Sequence, residues 1–277
     1  MKGKESSEIK SLKEEINRLR KSLTELTPSL EILLKRRGFR IYKKEPSDDL
    51  LIPEKRYING YYEMLKKYSF RLFLREVIKK QEFFTVQDVT RYATADVTKD
   101  YVDYMCSIGL LEKLPDGYRL TIRPIKSFGE TLEWFVAEIF RNEFFVEAIW
   151  GLRFKRPAVG GDYDLIAKVD GSILYMEIKS SPPKQIYQNE ISAFFDRVFD
   201  LYPEISIFFV DTELRMKDKI VLMFDEELKK RFKEQIEIRR IEKEIFEIWD
   251  KVFIMNAKDS IVANIEKILS LYFRRSL

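Results

Sequence analysis

The sequence predicts a mixed α/β fold built on a central mixed sheet, preceded by a small helical unit and an N-terminal helix. Three observations carry this. Beyond residue 125, helical and strand periodicities alternate, as "GETLEWFVAEIF" gives way to "VEAIWGLRF" and then to "YDLIAKVDGSILYMEIK". From residue 70, three helical stretches run directly into a hairpin pattern. Before these, apolar side chains recur in alternating steps of three and four.

Composition narrows the chemistry. The 277 residues are 45% hydrophobic and 35% charged, a globular balance with length for more than one core. Fifty basic against 46 acidic residues leave a net charge of +4, so any basic footprint must be local. The single cysteine, Cys106, excludes an internal disulfide and a cysteine-cluster metal site. Histidine is absent, which excludes a histidine general base, histidine-ligated zinc and a Ser-His-Asp triad. Catalysis therefore falls to carboxylates, lysines, hydroxyls or a bound metal. No apolar run approaches the ~18 residues of a membrane span, and the charged start "MKGKESSEIK" is no signal peptide. A cytoplasmic protein with no membrane partner is expected.

In the first element, Ile9, Leu12, Ile16, Leu19, Leu23 and Leu26 form a heptad seam. Residues 1–37 are read as an oligomerising coiled-coil helix that pairs two copies into a homodimer. Pro28 interrupts it, and Thr27 is read as the N-cap of a fresh helix. Residues 38–69 form a connector, turn-rich at "EPSDDLLIPEKRY", and a helix. Over 70–124, "FRLFLREVIKK", "TVQDVTRYA" and "TKDYVDYMCSIGL" read as helices, with Gly109 closing the third. "LLEKLPDGYRLTIR" follows as a hairpin turning at Asp116-Gly117. This order resembles a winged-helix domain. Its third helix offers only Lys99 against Asp100 and Asp103, a poor donor set for reading a groove. A structural or protein-contacting role is expected of it.

Residues 125–277 open with an amphipathic helix whose apolar face carries Leu132, Phe135, Val136, Ile139 and Phe140. After the strand and hairpin come a helix at "QNEISAFFDRVFDLY" and a strand at "ISIFFV". A charged helical stretch over about 225–250, a strand at "KVFIMN" and a closing helix at "DSIVANIEKILSLYFRR" complete the chain.

The hairpin poses the functional question. With Asp170-Gly171 as a two-residue loop, paired positions sum to 341, so Asp164 faces Glu177 and Asp162 faces Lys179. One face collects Tyr163, Leu165, Ala167, Val169, Leu174, Met176 and Ile178. The other carries Asp162, Asp164, Ile166 and Lys168, with Ile173, Tyr175, Glu177 and Lys179. Its apolar members argue for partial cover. Like charges at about 4.5–5.5 Å destabilise a sheet. A divalent cation would relieve them, and paired carboxylates suit Mg²⁺ or Mn²⁺. Lys179 lies on the same face, within reach of water there.

Asp164 in "DYDLI" with Glu177 and Lys179 in "MEIKSS" resembles the PD-(D/E)xK, restriction-endonuclease-like, nuclease superfamily over about residues 125–277. Tyr163 stands where the family's name has proline. The resemblance implies a restriction-endonuclease-like α/β core in which Asp164 and Glu177 hold Mg²⁺ (or Mn²⁺) and Lys179 orients or activates the attacking water. It also implies hydrolysis of phosphodiester bonds in nucleic acid, here DNA, leaving 5′-phosphate and 3′-hydroxyl ends. Many members place a further glutamate on the preceding helix. Of Glu130, Glu133 and Glu138, Glu133 lies nearest the apolar stripe, about 90° from its centre, and is the expected third ligand. Arg153, Lys155 and Arg156 in "GLRFKRP" are candidate phosphate contacts. The rival expectation is a non-catalytic DNA-binding regulator or assembly subunit using the fold as a scaffold. Retention of all three motif residues favours the enzyme.

Overall fold

Stretches rich in Val, Ile, Phe and Tyr assemble into one eight-stranded mixed sheet in the computed structural model, which describes residues 12, 15, 16, 18, 19, 27–155 and 159–275. A short helix α1 (Leu30–Arg36) leads into β1 (Ile41–Lys43). Four helices follow: α2 (Ile58–Leu65), α3 (Tyr68–Lys79), α4 (Val86–Val89) and α5 (Ala95–Ser107). The hairpin β2 (Leu111–Leu114) and β3 (Gly117–Leu120) stands apart from the main sheet. Helix α6 (Gly129–Glu143) then precedes β4 (Glu147–Phe154), β5 (Tyr163–Val169) and β6 (Ser172–Lys179). Next come α7 (Gln188–Leu201), β7 (Ile205–Val210) and α8 (Leu222–Arg231). The chain finishes with β8 (Arg239–Glu242), β9 (Ile245–Ile248), β10 (Val252–Asn256) and α9 (Ile261–Arg275).

The strand order is β1-β4-β5-β6-β7-β10-β9-β8, parallel only where β7 pairs with β6 and β10. Each face of the sheet buries its own core. On one side Leu132, Phe135, Val136 and Ile139 of α6 pack with Trp150, Leu165, Met176 and Phe209, and α9 adds Ile265 and Ile268. On the other, Leu30 and Leu34 of α1 and Phe194, Phe195, Phe224 and Leu228 of α7 and α8 cover Ile166, Tyr175 and Phe208. Burying each such side chain contributes about 1.5–3 kcal/mol. Strands covered on both faces read as continuous apolar runs, which is why "ISIFFV" is buried at every position.

The α3–α5 helices and the β2–β3 hairpin form the expected succession, and Phe84 adds an antiparallel bridge to Tyr118. Their apolar interior, including Phe70, Val77, Val102 and Leu120, is continuous with the α6 side of the sheet. A buried ion cluster fastens the two together. Arg71 donates through Nε and Nη2 to Asp211, at 3.0 and 2.8 Å, and Arg75 donates to the same carboxylate.

The structure corrects four local expectations. The hairpin pairs Leu114 with Gly117, so its loop is Pro115-Asp116 rather than Asp116-Gly117. Glycine is needed at 117 because a Cβ there would lie 2.6 Å from the Phe84 carbonyl oxygen. Ser29, not Thr27, caps α1, its hydroxyl accepting from the Ile32 N–H. The charged stretch over about 225–250 is helical only to Arg231, after which β8 and β9 form a hairpin. Its charges masked the strand pattern: Glu247 is buried because Arg239, opposite it, and Arg275 both donate to it. Finally, Tyr163 joins the core containing Tyr175 rather than that containing Leu165. The N-terminal heptad seam lies mostly outside the described residues. Its Leu12, Ile16 and Leu19 are helical and exposed. No helix among the described residues is long and apolar enough to cross a membrane.

Candidate active site

The β5–β6 hairpin turns through Asp170 and Gly171, both at positive φ (48° and 84°), as a two-residue turn of this kind requires. Pairing then runs in the expected register from Val169–Ser172 to Leu165–Met176. There the two strands part, although β5 stays paired to β4 as far as Tyr163 and β6 to β7 as far as Lys179. Asp164 and Glu177 occupy the first step beyond the pairing. The Ile178 N–H donates to Asp164 Oδ2 at 2.7 Å.

A second irregularity coincides with the first. On β4, Ala148 and Trp150 face one core and Ile149 the other, yet Leu152 and Phe154 both face the second. On β5, Leu165 and Ala167 face the first core, while Ile166 and Tyr163 face the second. Both strands therefore turn over where Gly151 lies opposite Asp164. Gly151 sits at φ +58°, and a Cβ there would come within 2.3 Å of Pro46 Cδ. This turnover is the physical reason that Tyr163 changes sides. It places Asp164 between the two faces, next to α6.

Glu133 meets Asp164 from α6. Its Oε2 lies 3.7 Å from the position a Gly151 Cβ would take, and the Asp164 charge acts on it more strongly than that of Glu130, Glu177 or Asp162. The other two glutamates of this helix are used elsewhere. Glu130 accepts from the Asp49 N–H at 2.9 Å, and Glu138 pairs with Arg141 at 2.7 Å.

Glu177 is 2% exposed and surrounded by donors. Lys179 Nζ lies 2.8 Å from its Oε1, Arg197 Nη1 donates to Oε2 at 3.0 Å, and the Tyr175 hydroxyl also donates to Oε2. Lys179 reaches Glu190 at 3.2 Å as well. The expected opposition of Asp162 and Lys179 does not occur, since the strands have already separated. Asp162 instead takes Arg153 through both oxygens, at 2.5 and 2.7 Å. Arg197 is a site residue that the sequence concealed. It lies on α7 amid ordinary helical periodicity, and only the packing of α7 on β6 brings it to Glu177. Lys155 is exposed, and Arg156 lies outside the described residues.

The electrostatics divide the acids. Asp164 is half-buried at its outer edge but closely surrounded by protein. Burial, then the Glu177 carboxylate, pushes its carboxyl up to about 7, against Lys179, the Ile178 N–H and Arg197. Burial and then Asp164 hold Glu133 well above the usual carboxylate range. For Lys179, burial opposes the charge, but Glu177 and Asp164 outweigh it and raise the ammonium above its ordinary value. The same balance raises Arg197.

Hard oxygen donors at this corner suit Mg²⁺ or Mn²⁺, and two carboxyls raised by burial first and by neighbouring acids second are what a cation would relieve. As they stand, no three acidic or cysteine side chains among the described residues converge as a ligand group. The donor chemistry thus fits a metal through Asp164 and Glu133, while Glu177 is taken up by cations of the chain itself.

No family model matches this chain, and neither does any curated protein. Among solved structures, it is similar to Can2 from Sulfobacillus thermosulfidooxidans, solved in complex with cyclic tetra-adenylate. The identity is 12% and the TM-score 0.47, over 88% of this chain and 60% of that one. It is also similar to protein VC1899 from Vibrio cholerae, at 11% identity and a TM-score of 0.42, over 87% of this chain and 59% of that one. The chain spans about three-fifths of the length of each. Scores of this size do not define a shared fold, and the functional reading rests on the geometry of the site.

Proposed function

We propose that this chain is a Mg²⁺- or Mn²⁺-dependent nuclease that hydrolyses phosphodiester bonds in DNA. The observation that supports the reading is the placement of Asp164 and Glu177 where β5 and β6 part, with Lys179 on Glu177 and with Glu133 under the charge of Asp164 from α6. The restriction-endonuclease-like core, the winged-helix-like unit over 70–124 and dimerisation through residues 7–26 belong to the same proposal.

Asp164, Glu133 and Glu177 would hold the metal, Glu177 being shared with Lys179 and Arg197. Bound there, it would polarise a phosphoryl oxygen and lower the pKa of the attacking water. Lys179 keeps its proton at neutral pH, because Glu177 and Asp164 stabilise the ammonium. It therefore acts as a hydrogen-bond donor and fixed charge, orienting water and stabilising the negative charge that develops on the phosphoryl group. It is no general base. With the Asp164 carboxyl pushed up to about 7, a cation held there would compete with its proton, so metal affinity should rise with pH through about 7.

The test is cleavage of labelled linear and branched DNA in Mn²⁺, with EDTA and Glu177→Ala as controls. Metal-dependent cutting lost in both controls is the expected result, and cutting that persists in EDTA would defeat the mechanism. One observation favours a second reading, a non-catalytic DNA-binding regulator or assembly subunit: Glu177 is already neutralised by Lys179 and Arg197. Calorimetry separates the two, because the second reading expects no Mn²⁺ binding that depends on Asp164.

A further inference from the structure

The sheet edge beside the site repeats the problem of Asp164 and Glu177 with the sign reversed. Ile41 on β1 lies opposite Phe154 on β4, and the Lys155 N–H donates to the Arg40 carbonyl at 3.0 Å. Arg40 therefore faces Lys155 directly, as a hydrogen-bonded pair with Cα atoms about 5.5 Å apart. Past Ile41 the register shifts by one residue, and Lys43 comes opposite Arg153 instead of Leu152. Ile41 and Phe154 pack on the core that contains Tyr175. Directly opposed residues share a face and neighbours in a strand alternate. Arg40, Lys43, Arg153 and Lys155 consequently project together from the other side of this two-strand edge.

Opposed like charges destabilise a ladder unless something compensates them. Asp162 grips Arg153, and Asp48 lies 3.6 Å from Lys43. Arg40 and Lys155 are both exposed, and among the described residues neither has an acidic partner. Protection of an exposed strand edge needs isolated charges on the edge strand. It does not require cations on both strands of the ladder, nor a bulge that brings a second pair onto the same face. A polyanion backbone supplies the missing charge. The location fits as well, since Pro46, three residues beyond Lys43, lies against Gly151, beside Glu133 and opposite Asp164.

We infer that the β1–β4 edge is a phosphate-binding ladder that seats the backbone of a nucleic-acid substrate beside the acids, Arg40 with Lys155 and Lys43 with Arg153 taking adjoining phosphates. The inference rests on the nuclease reading for its ligand and adds Arg40 and Lys43 to the substrate surface.

The experiment measures binding without turnover: anisotropy of a labelled duplex with full-length protein in EDTA, from about 50 to about 200 mM salt. Each phosphate contact adds about 0.9 to the slope of log affinity against log salt. Arg40→Ala/Lys155→Ala, which removes both cations of one phosphate position, should flatten the slope by about 0.9 and weaken binding at low salt. Arg40→Glu, placed opposite Lys155, should weaken binding further while leaving the melting temperature unchanged or higher, which separates lost contact from lost fold. An unchanged slope in the double variant overturns the ladder and leaves the nuclease reading standing. A wild-type protein that binds no nucleic acid at any salt defeats that reading itself. Capture by anionic vesicles but not by oligonucleotides overturns the assignment of the edge to nucleic acid.

Discussion

Asp164 carries the most informative charge in the molecule. A carboxyl raised in the folded state holds a proton that the unfolded chain gives up near pH 4. The metal-free protein should therefore lose stability as pH climbs from about 4 to about 7, and level off above. Asp164→Asn removes that loss, so its urea midpoint in EDTA should exceed that of the wild type near pH 8 and converge with it near pH 4. A deficit at pH 8 would contradict the electrostatics described for this site. The same carboxyl gives a histidine-free protein a titration near neutrality. Lys179→Ala should lower the cleavage rate by about 10²-fold or more, as removal of a preorganised donor does, with Mn²⁺ affinity nearly unchanged in calorimetry. Arg197→Ala should act on metal affinity instead. It removes the guanidinium competing for Glu177 and should tighten Mn²⁺ binding, while loss of one partner of a buried pair costs about 3 kcal/mol in chemical denaturation.

At the scale of the element, the site depends on a defect shared by two strands. β4 and β5 turn over together at Gly151 and Asp164, and β6 separates from β5 at the same level. Gly151→Ala would place a Cβ 2.3 Å from Pro46 Cδ at a backbone angle that side chains rarely adopt. It should lower stability by about 2 kcal/mol or more and also lose the Asp164-dependent Mn²⁺ binding. Stability equal to wild type in urea titration would mean that the strand passes Gly151 without the kink. The Asp170-Gly171 turn and its register were legible because two residues at positive φ admit few sequences. The turnover was not. Gly151 offers no signal in its local sequence, since both its left-handed backbone and the approach of Pro46, far along the chain, are set by the fold. The same limit explains β8 and β9, whose Arg and Glu residues satisfy each other across a ladder that local periodicity cannot reveal.

In the whole molecule, one carboxylate joins the helical unit to the sheet. Asp211 is fully buried, accepts from Arg71 and Arg75, and through its N–H holds the Lys179 carbonyl at 2.9 Å. Asp211→Ala would leave the buried Arg71 guanidinium without its counter-charge and should cost about 3–5 kcal/mol. The denaturation midpoint should fall accordingly, with faster amide exchange over residues 68–79. Retained protection in those amides would show that the apolar core alone docks the unit. Dimerisation is a separate matter: removing residues 1–26 should reduce the mass in light scattering from a dimer to a monomer.

The sequence by itself determined the mixed α/β class, the order of the helices and of most strands, and the β5–β6 register from Val169–Ser172 to Leu165–Met176. Each of these follows from spacings within a few residues or from one turn. Only the tertiary structure decided which groups answer the acids of the site. Arg197 arrives from α7, Arg153 takes Asp162, and Pro46 occupies the space that a side chain at position 151 would need. A carboxylate's partner is set by what the fold brings within about 3 Å, and separation along the chain carries no record of it.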